Sequence, residues 1–267
     1  MSKVIVKTSK VAEAVAREEV YIQAQGTRLH YQVAGPLDAP PLVLLHGIGG
    51  CVNWWDKNLP ALSVHFRTYA LDLPGFGRSW RLRGRYSIGR LAEYVRLWLD
   101  LVGLTQVDLL GHSLGGQIAV RLAALYPRRI GRLVLAAPSG LWPGQMERFR
   151  GLKQASGVKV PLSQVITIAT GTLRTDALAL GLSLGAIIGD GEQAARSLGA
   201  VQAPTLILWG TADTVLPASL GPKVISLLKN GLGRLEYIEN GTHDMMFDQA
   251  ELFNRQVLNF LLEKAEG

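Results

Sequence analysis

The stretch "LLGHSLGGQIAV", Leu109–Val120, sets one serine between glycines, after an apolar run and before an apolar stretch of helical character. A sharp strand-to-helix turn needs small residues because its backbone is crowded, and Gly111 and Gly115 supply them. Such a turn lifts a side chain above the sheet and directs the first amides of the helix toward developing negative charge. The pattern therefore indicates Ser113 as a nucleophile at a strand–turn–helix junction.

A second match to the same five-residue pattern, "GLSLG", is centred on Ser183. In "ALALGLSLGAIIGDG" leucines alternate with small residues, and we expect no helix to follow this serine. Ser183 also lies within a segment of different character from the rest of the chain. We interpret it as a packing serine against close backbone neighbours, which leaves Ser113 as the candidate.

Short β-rich runs alternate with longer helical patterns along the chain, which favours βαβ units and an α/β fold with a mostly parallel, eight-stranded sheet flanked by helices. The first two runs flank Gly26 and predict an antiparallel hairpin. The predicted strands are "EVYIQAQ", "RLHYQVAG", "PLVLLHG", "RTYALDLPG", "VDLLG", "RLVLAAP", "PTLILWG" and "RLEYIEN". The predicted helices are "SIGRLAEYVRLWLDLVGL", "GGQIAVRLAALYP", "GPKVISLLKNG" and "QAELFNRQVLNFLLEK".

The segment between the sixth and seventh predicted strands is Gly-rich and too long for a plain loop. We predict a core of residues 1–140, an inserted helical cap or lid of residues 141–200, and a second part of the core in residues 201–267. Ligands bind at the carboxyl ends of strands in such sheets, so the cap should cover that edge. Its apolar stretch "ALALGLSLGAII" predicts a hydrophobic acyl pocket, with Trp54, Trp142 and Leu182 as candidate lining residues. Trp54 fits core packing equally well.

The composition is that of a folded domain, with 267 residues, 48% hydrophobic and 18% charged. The chain has one cysteine, no apolar run of membrane-spanning length, and a charged beginning without the features of a signal peptide, so we expect a cytoplasmic protein. The net charge of +7 is concentrated in "GRSWRLRGR" and "YPRRIGR". Only Trp80 lies between two of these arginines, which is not the interleaving that a base-stacking platform needs, so a solvated basic face is favoured over a nucleic-acid partner. We also expect no stable membrane insertion, although transient lipid contact stays open.

A serine hydroxyl needs an adjacent base to attack near neutral pH, and the chain offers five histidines. His30 and His65 lie in early segments that suggest surface or packing positions. His46 opens "HGIGG" and suits a turn, and His112 should point away from the serine hydroxyl as a packing residue. His243, in "ENGTHDMMFD" after the last predicted strand, is the candidate base.

The acid that orients this base should follow the serine and precede the histidine in the chain. "LILWGTADTVLP" places Asp213 just beyond a strand, in a turn that contains glycine. Asp244 and Asp248 lie too close to His243 in sequence to reach its far nitrogen easily. Asp213 is therefore the candidate acid.

Five blocks, "LVLLHGIGG", "ALDLPGFGRS", "LLGHSLGG", "LILWGTADTVLP" and "NGTHDMMFD", resemble the hallmarks of the capped α/β-hydrolase family, and they extend from Leu42 to Asp248. The resemblance implies Ser113 as nucleophile, His243 as base and Asp213 as the orienting acid. It also implies an oxyanion hole made by the backbone N–H groups of Ile48 and Leu114, with no metal and no organic cofactor.

Dehalogenase and epoxide-hydrolase relatives carry aspartate where this chain has Ser113, so the resemblance implies hydrolysis of carboxylic esters, including lactones or thioesters, of small hydrophobic molecules. An alternative is carbon–carbon bond hydrolysis of vinylogous diketones. Relatives with that activity often have Asn where His112 stands, Trp where Asp244 stands and an arginine in the cap, for which Arg148, Arg150 and Arg174 are available. A perhydrolase side reaction and a non-catalytic binding protein also stay open.

Overall fold

The centre of the molecule is a nine-stranded sheet, in a computed structural model that describes residues 4–7, 16–141, 176–229 and 231–263. The order across the sheet is β1-β2-β3-β5-β4-β6-β7-β8-β9. The strands are β1 Val4–Lys7, β2 Arg17–Ala24, β3 Thr27–Ala34, β4 Pro41–Leu45, β5 Arg67–Leu71, β6 Val107–His112, β7 Ile130–Ala136, β8 Thr205–Gly210 and β9 Gly233–Ile238.

All eight predicted strands are present, and the mostly parallel α/β fold is confirmed. The strand count was one too low, because Val4–Lys7 pairs antiparallel with β2 at the edge of the sheet. This "VIVK" run is only four residues long and lies in a charged segment, so it does not stand out in the sequence. The predicted hairpin is confirmed, with Ala24 opposite Thr27 across the turn.

The strands from β4 to β9 run parallel to one another, so their carboxyl ends share one edge of the sheet. Leu42, Val43, Leu44 and Leu45 of the central strand β4 are fully buried. An uninterrupted buried run of this kind is typical of a parallel strand covered on both faces. The core therefore lies on both sides of the central strands and leaves their ends for the site.

The α-helices include all four that the sequence predicts, and three of these four begin and end close to the predicted bounds. They are α1 Leu59–Leu62, α2 Ile88–Val102, α3 Leu114–Leu125, α4 Ala177–Gly189, α5 Gly191–Leu198, α6 Gly221–Ile225, α7 Met245–Asp248 and α8 Ala250–Leu262. In α2, the Ser87 hydroxyl caps the first turn by accepting from the Arg90 amide at 3.1 Å, and Gly103 ends the helix in the left-handed conformation. Helix α6 is shorter than predicted, because i to i+3 hydrogen bonds at Leu227 and Leu228 replace the α-helical pattern.

The described part of the predicted cap, residues 176–200, contains α4 and α5. The expectation that no helix follows Ser183 was wrong, because α4 contains this serine and continues to Gly189. Alanine and leucine favour helix strongly, and the Asp176 carboxylate caps α4 by accepting from the amides of Leu178 and Ala179. Residues 142–175 lie outside the described residues, so the division at 141 and 200 stays a prediction. Within the described ranges, no helix is both long and apolar enough to cross a membrane.

Candidate active site

Ser113 lies in the turn that joins β6 to α3, with a backbone φ of 51° and ψ of −114°. A non-glycine residue rarely adopts positive φ, and such strain persists only where the surroundings hold it. The neighbouring glycines are required by space: a Cβ on Gly115 would overlap the Leu45 carbonyl oxygen, and one on Gly111 would overlap the Gly115 carbonyl. The predicted crowded strand-to-helix turn is present.

Three backbone hydrogen bonds hold the strained residue in place. The Ser113 amide donates to the Ala136 carbonyl at 3.0 Å, which ties it to the end of β7. Its own carbonyl accepts from the amides of Gln117 and Ser139, both at 3.1 Å. Since these partners come from α3 and from the segment after β7, the packed sheet and helix determine the conformation of Ser113.

Asp213 and His243 meet at the same edge of the sheet, one after β8 and the other after β9. Asp213 Oδ2 lies 2.8 Å from His243 Nδ1. The other carboxylate oxygen accepts from the amides of Val215 at 2.8 Å and Leu216 at 2.7 Å, so the side chain cannot rotate freely. A carboxylate held in this way favours the Nδ1–H tautomer of neutral His243 and leaves Nε2 to accept a proton.

The loop that carries His243 touches the residue before Ser113. His112 Nε2 lies 3.0 Å from the main-chain carbonyl oxygen of His243, and the two imidazole centroids are 4.8 Å apart. The structure therefore brings the three predicted residues, which come from three strand ends, to one region. The prediction that His112 only packs overlooked this hydrogen bond, because the partner is distant in sequence.

The pKa of the His243 imidazole is raised above its ordinary value of 6.5. Burial by itself lowers this pKa, but the hydrogen bond that His243 donates to Asp213 and the charges of Asp213 and Asp244 outweigh it. Burial in turn raises the pKa of Asp244, against the opposing effect of His243. The carboxylates thus stabilise a positive charge on His243, which is the form that a general base reaches after it takes a proton.

The turn after β4 packs directly against the turn that holds Ser113. A Cβ on Gly47 would lie 3.2 Å from the Ser113 Cβ, and the Gly50 amide donates to the Gly47 carbonyl at 3.1 Å. Ile48 lies inside this turn, and Leu114 is the first residue of α3, where amides have no helical acceptor. Leu114 therefore directly follows Ser113, and Ile48 follows the glycine that packs against it; the role of their amides as an oxyanion hole stays a prediction.

His46 and Asp72 hold this turn from the side of the core. His46 Nδ1 donates to the Gly47 carbonyl at 2.7 Å, and its Nε2 accepts from the Leu73 amide at 3.0 Å. The fully buried Asp72 accepts from the Val52 amide at 2.7 Å and lies 2.7 Å from His30 Nδ1. The sequence did not single out Asp72, although its position in "ALDLPGFGRS" was the available signal.

The three predicted pocket residues have different positions. Trp54 is buried, and its ring centroid lies 5.9 Å from that of His112. Leu182 is half-buried on α4 and lines a groove of about 410 Å³ together with Arg85, Tyr86 and Ile88. The lining of this groove does not include Ser113 or His243, so the groove is not the space directly above the nucleophile. Trp142 lies outside the described residues.

Residues 40–161 match the model of the family described as alpha/beta hydrolase fold. The chain is 30% identical over 264 residues to the 2-hydroxy-6-oxononadienedioate/2-hydroxy-6-oxononatrienedioate hydrolase 2 of Pseudomonas putida, an alignment that covers 88% of this chain and 91% of that protein. The chain belongs to the α/β-hydrolase family. It is a hydrolase of the α/β fold, with relatives that differ in the bond they cleave.

Two other relatives show this diversity. The chain is 32% identical over 257 residues to the dihydrolipoyllysine-residue acetyltransferase component of the acetoin cleaving system of Pseudomonas putida, which covers 88% of this chain and 67% of that protein. It is 25% identical over 263 residues to carboxylesterase YbfK of Bacillus subtilis, in an alignment that covers 92% of this chain and 88% of that protein. A solved hydrolase from Pseudomonas aeruginosa PA01 superposes with a TM-score of 0.78 at 29% identity, and covers 92% of this chain and 98% of that one.

Proposed function

We propose that this α/β hydrolase is a serine hydrolase that cleaves carboxylic esters, with lactones and thioesters included, through an acyl-enzyme. The observation that carries the proposal is the 2.8 Å contact between His243 Nδ1 and Asp213 Oδ2 at the edge of the sheet where Ser113 is held at positive φ. A nucleophile, a base and an acid that orients the base are the minimum that acyl transfer to a serine requires.

In the first half of the reaction, His243 Nε2 takes the Ser113 proton while the serine oxygen attacks the carbonyl carbon. The resulting tetrahedral oxyanion accepts hydrogen bonds from the amides of Ile48 and Leu114. When the intermediate collapses, the alkoxide leaves with the proton from His243, and the acyl group stays on Ser113. A water molecule that His243 deprotonates then attacks the acyl-enzyme, which releases the carboxylic acid and restores the serine hydroxyl.

The oxyanion donors and the general base each make a contribution to the rate that depends on how firmly these groups are held. A preorganised oxyanion donor contributes roughly 3–4 kcal/mol in the transition state. A general base contributes about 10²- to 10⁴-fold, and its pKa should lie near the working pH. The raised pKa of His243 is consistent with that role, since the imidazole is neutral above that pKa and gains a proton readily.

Carbon–carbon bond hydrolysis is the second candidate, and the 30% identity to a 2-hydroxy-6-oxononadienedioate hydrolase favours it. Two positions disfavour it. Serine hydrolases with this activity often carry Asn before the nucleophile and Trp after the base, whereas this chain has His112 and Asp244. We therefore place ester hydrolysis first.

We propose small hydrophobic esters as substrates, with medium acyl chains hydrolysed faster than acetyl esters. Support for this preference comes from the apolar helix α4 in the proposed cap and from the buried Trp54 beside the nucleophile turn. A series of p-nitrophenyl esters from acetate to dodecanoate measures it directly. A strict preference for acetate would contradict this part of the proposal.

The bond type is tested by a panel of p-nitrophenyl esters, aliphatic lactones and a vinylogous diketone, with the wild-type chain and Ser113→Ala side by side. We expect ester or lactone turnover that Ser113→Ala abolishes, and slower or absent turnover of the diketone. Faster diketone cleavage would support the second candidate instead. Turnover of no substrate, together with no labelling by a fluorophosphonate, would indicate a non-catalytic binding protein.

A further inference from the structure

The buried imidazole of His112 contacts each of the segments that form the candidate active site. It belongs to the residue directly before Ser113 and is 1% exposed. A Cβ on Gly47, in the turn after β4, would lie only 2.8 Å from His112 Nδ1. On its other side, Nε2 lies 3.0 Å from the His243 carbonyl oxygen. The ring therefore lies among the turn that holds Ser113, the turn after β4 that contains Gly47, and the loop that carries His243.

The hydrogen bond defines the state of this ring. A carbonyl oxygen can only accept a hydrogen bond. His112 Nε2 therefore carries the proton and donates a hydrogen bond to the main-chain carbonyl of His243. Burial and the nearby charge of His243 lower the pKa of His112 well below 6.5, so the ring stays neutral. The other nitrogen, Nδ1, has no hydrogen-bond partner among the described residues, because it faces the tightly packed Gly47. The ring thus makes one hydrogen bond within the described residues, and its Nε2 also lies 3.8 Å from Asp244 Oδ1.

Within the described ranges, the other hydrogen bonds near His243 hold Thr242 and the His243 imidazole rather than the main-chain carbonyl of His243. The Thr242 amide and hydroxyl both donate to Asp248 Oδ2, and the imidazole of His243 bonds Asp213. The bond from His112 reaches the backbone of the base itself, from the residue that precedes the nucleophile. Its geometry therefore bears directly on the distance between the base and the hydroxyl that it deprotonates.

We propose that His112 is a positioning residue, which fixes the main chain of the general base relative to the nucleophile through one hydrogen bond from a buried ring. This inference rests on the proposed function. A displacement of about 1 Å in a reacting group can lower a rate by about 100-fold, so a single bond at this place has a large effect on turnover. Because the His112 ring is buried, we expect it not to contact substrate, and KM should respond little.

The test compares three substitutions of His112. His112→Leu fills the space without a donor, His112→Gln places an amide N–H near the position of Nε2, and His112→Asn places one near Nδ1. For His112→Leu we expect kcat to fall about 10- to 100-fold with KM within about threefold. The acid limb of kcat/KM should move downward, because a looser His243 loses part of its bond to Asp213. His112→Gln should recover kcat to within about fivefold of wild type, and His112→Asn should not.

The outcomes separate this inference from the proposed function. Equal turnover by wild type and Ser113→Ala would overturn the proposed function. An inactive Ser113→Ala beside a fully active His112→Leu would overturn only the role of His112. Equal losses in the Leu and Gln variants, with an unmoved acid limb, would show that the ring only packs. Should His112→Leu not fold, the contrast between His112→Gln and His112→Asn decides, and equal kcat in those two variants would overturn the inference.

Discussion

Two stretches of the chain share the pattern G-x-S-x-G, but they differ in secondary structure and in backbone conformation. Ser113 lies at a strand–helix junction with φ of 51°, while Ser183 lies in the middle of helix α4. The Ser183 side chain is fully buried, and its hydroxyl has no hydrogen-bond partner within the described part of the chain. The difference teaches that the five-residue pattern alone does not determine the local structure, because only the crowded end of β6 forces its serine into a strained turn.

The largest expected effect separates the two serines. Ser113→Ala should lower kcat by about 10⁴- to 10⁶-fold, because the nucleophile is lost and only binding and the oxyanion donors stay. Ser183→Ala should leave kcat within about twofold and leave stability unchanged or raised by up to about 1 kcal/mol, since an unpaired buried hydroxyl is removed. Steady-state kinetics and urea unfolding of both variants measure these effects. A strong loss of activity in Ser183→Ala would contradict the comparison.

The next effect concerns the acid. Asp213→Asn should lower kcat by about 10³- to 10⁴-fold, because an amide can donate to Nδ1 and stabilise the wrong tautomer of His243. Asp248→Asn is the matched control, since its carboxylate binds Thr242 and not the imidazole. We expect a far smaller loss in the control. Similar decreases in kcat for the two variants, measured with the same ester, would contradict the assignment of Asp213 as the acid that orients His243.

A pair of glycines tests the crowding itself. Gly115→Ala should lower the free energy of unfolding by about 1–3 kcal/mol, because the new methyl group meets the Leu45 carbonyl. Gly181→Ala, in the stretch around Ser183, should raise it by about 0.5–1 kcal/mol, since nothing lies within 4 Å and alanine favours helix. Chemical denaturation of both variants gives the sign of the change in the free energy of unfolding. If Gly181→Ala were destabilised and Gly115→Ala were unaffected, the argument that crowding at Gly115 distinguishes the two stretches would be contradicted.

The smallest effect is the pH dependence. His243 must be neutral to take a proton and its pKa is raised, so kcat/KM should be constant at high pH and fall tenfold per unit below a midpoint above 6.5. Asp244→Asn should move that midpoint downward, because the Asp244 charge contributes to the raised pKa. Glu251→Gln, exposed on α8, is the control and should not move it. A wild-type midpoint below 6.5 would contradict the electrostatic argument.

The sequence predicted the features that depend on local pattern. Continuous apolar runs identified the buried strands, and the glycines around Ser113 identified the turn. The segment around α4 was predicted to be helical, but the position of this helix was not, because leucine alternating with small residues lacks helical periodicity. The helix depends on its Asp176 cap and on alanine and leucine propensity. The bond from His112 to His243 was missed because it joins residues 131 positions apart, which no spacing rule detects.

The most direct test of the central claim is labelling with a fluorophosphonate, followed by mass spectrometry of the digested protein. The geometry predicts a single adduct on the peptide that contains Ser113, lost in Ser113→Ala and retained in Ser183→Ala. An adduct on the peptide that contains Ser183, or rapid ester turnover without any adduct on Ser113, would contradict the assignment of the nucleophile.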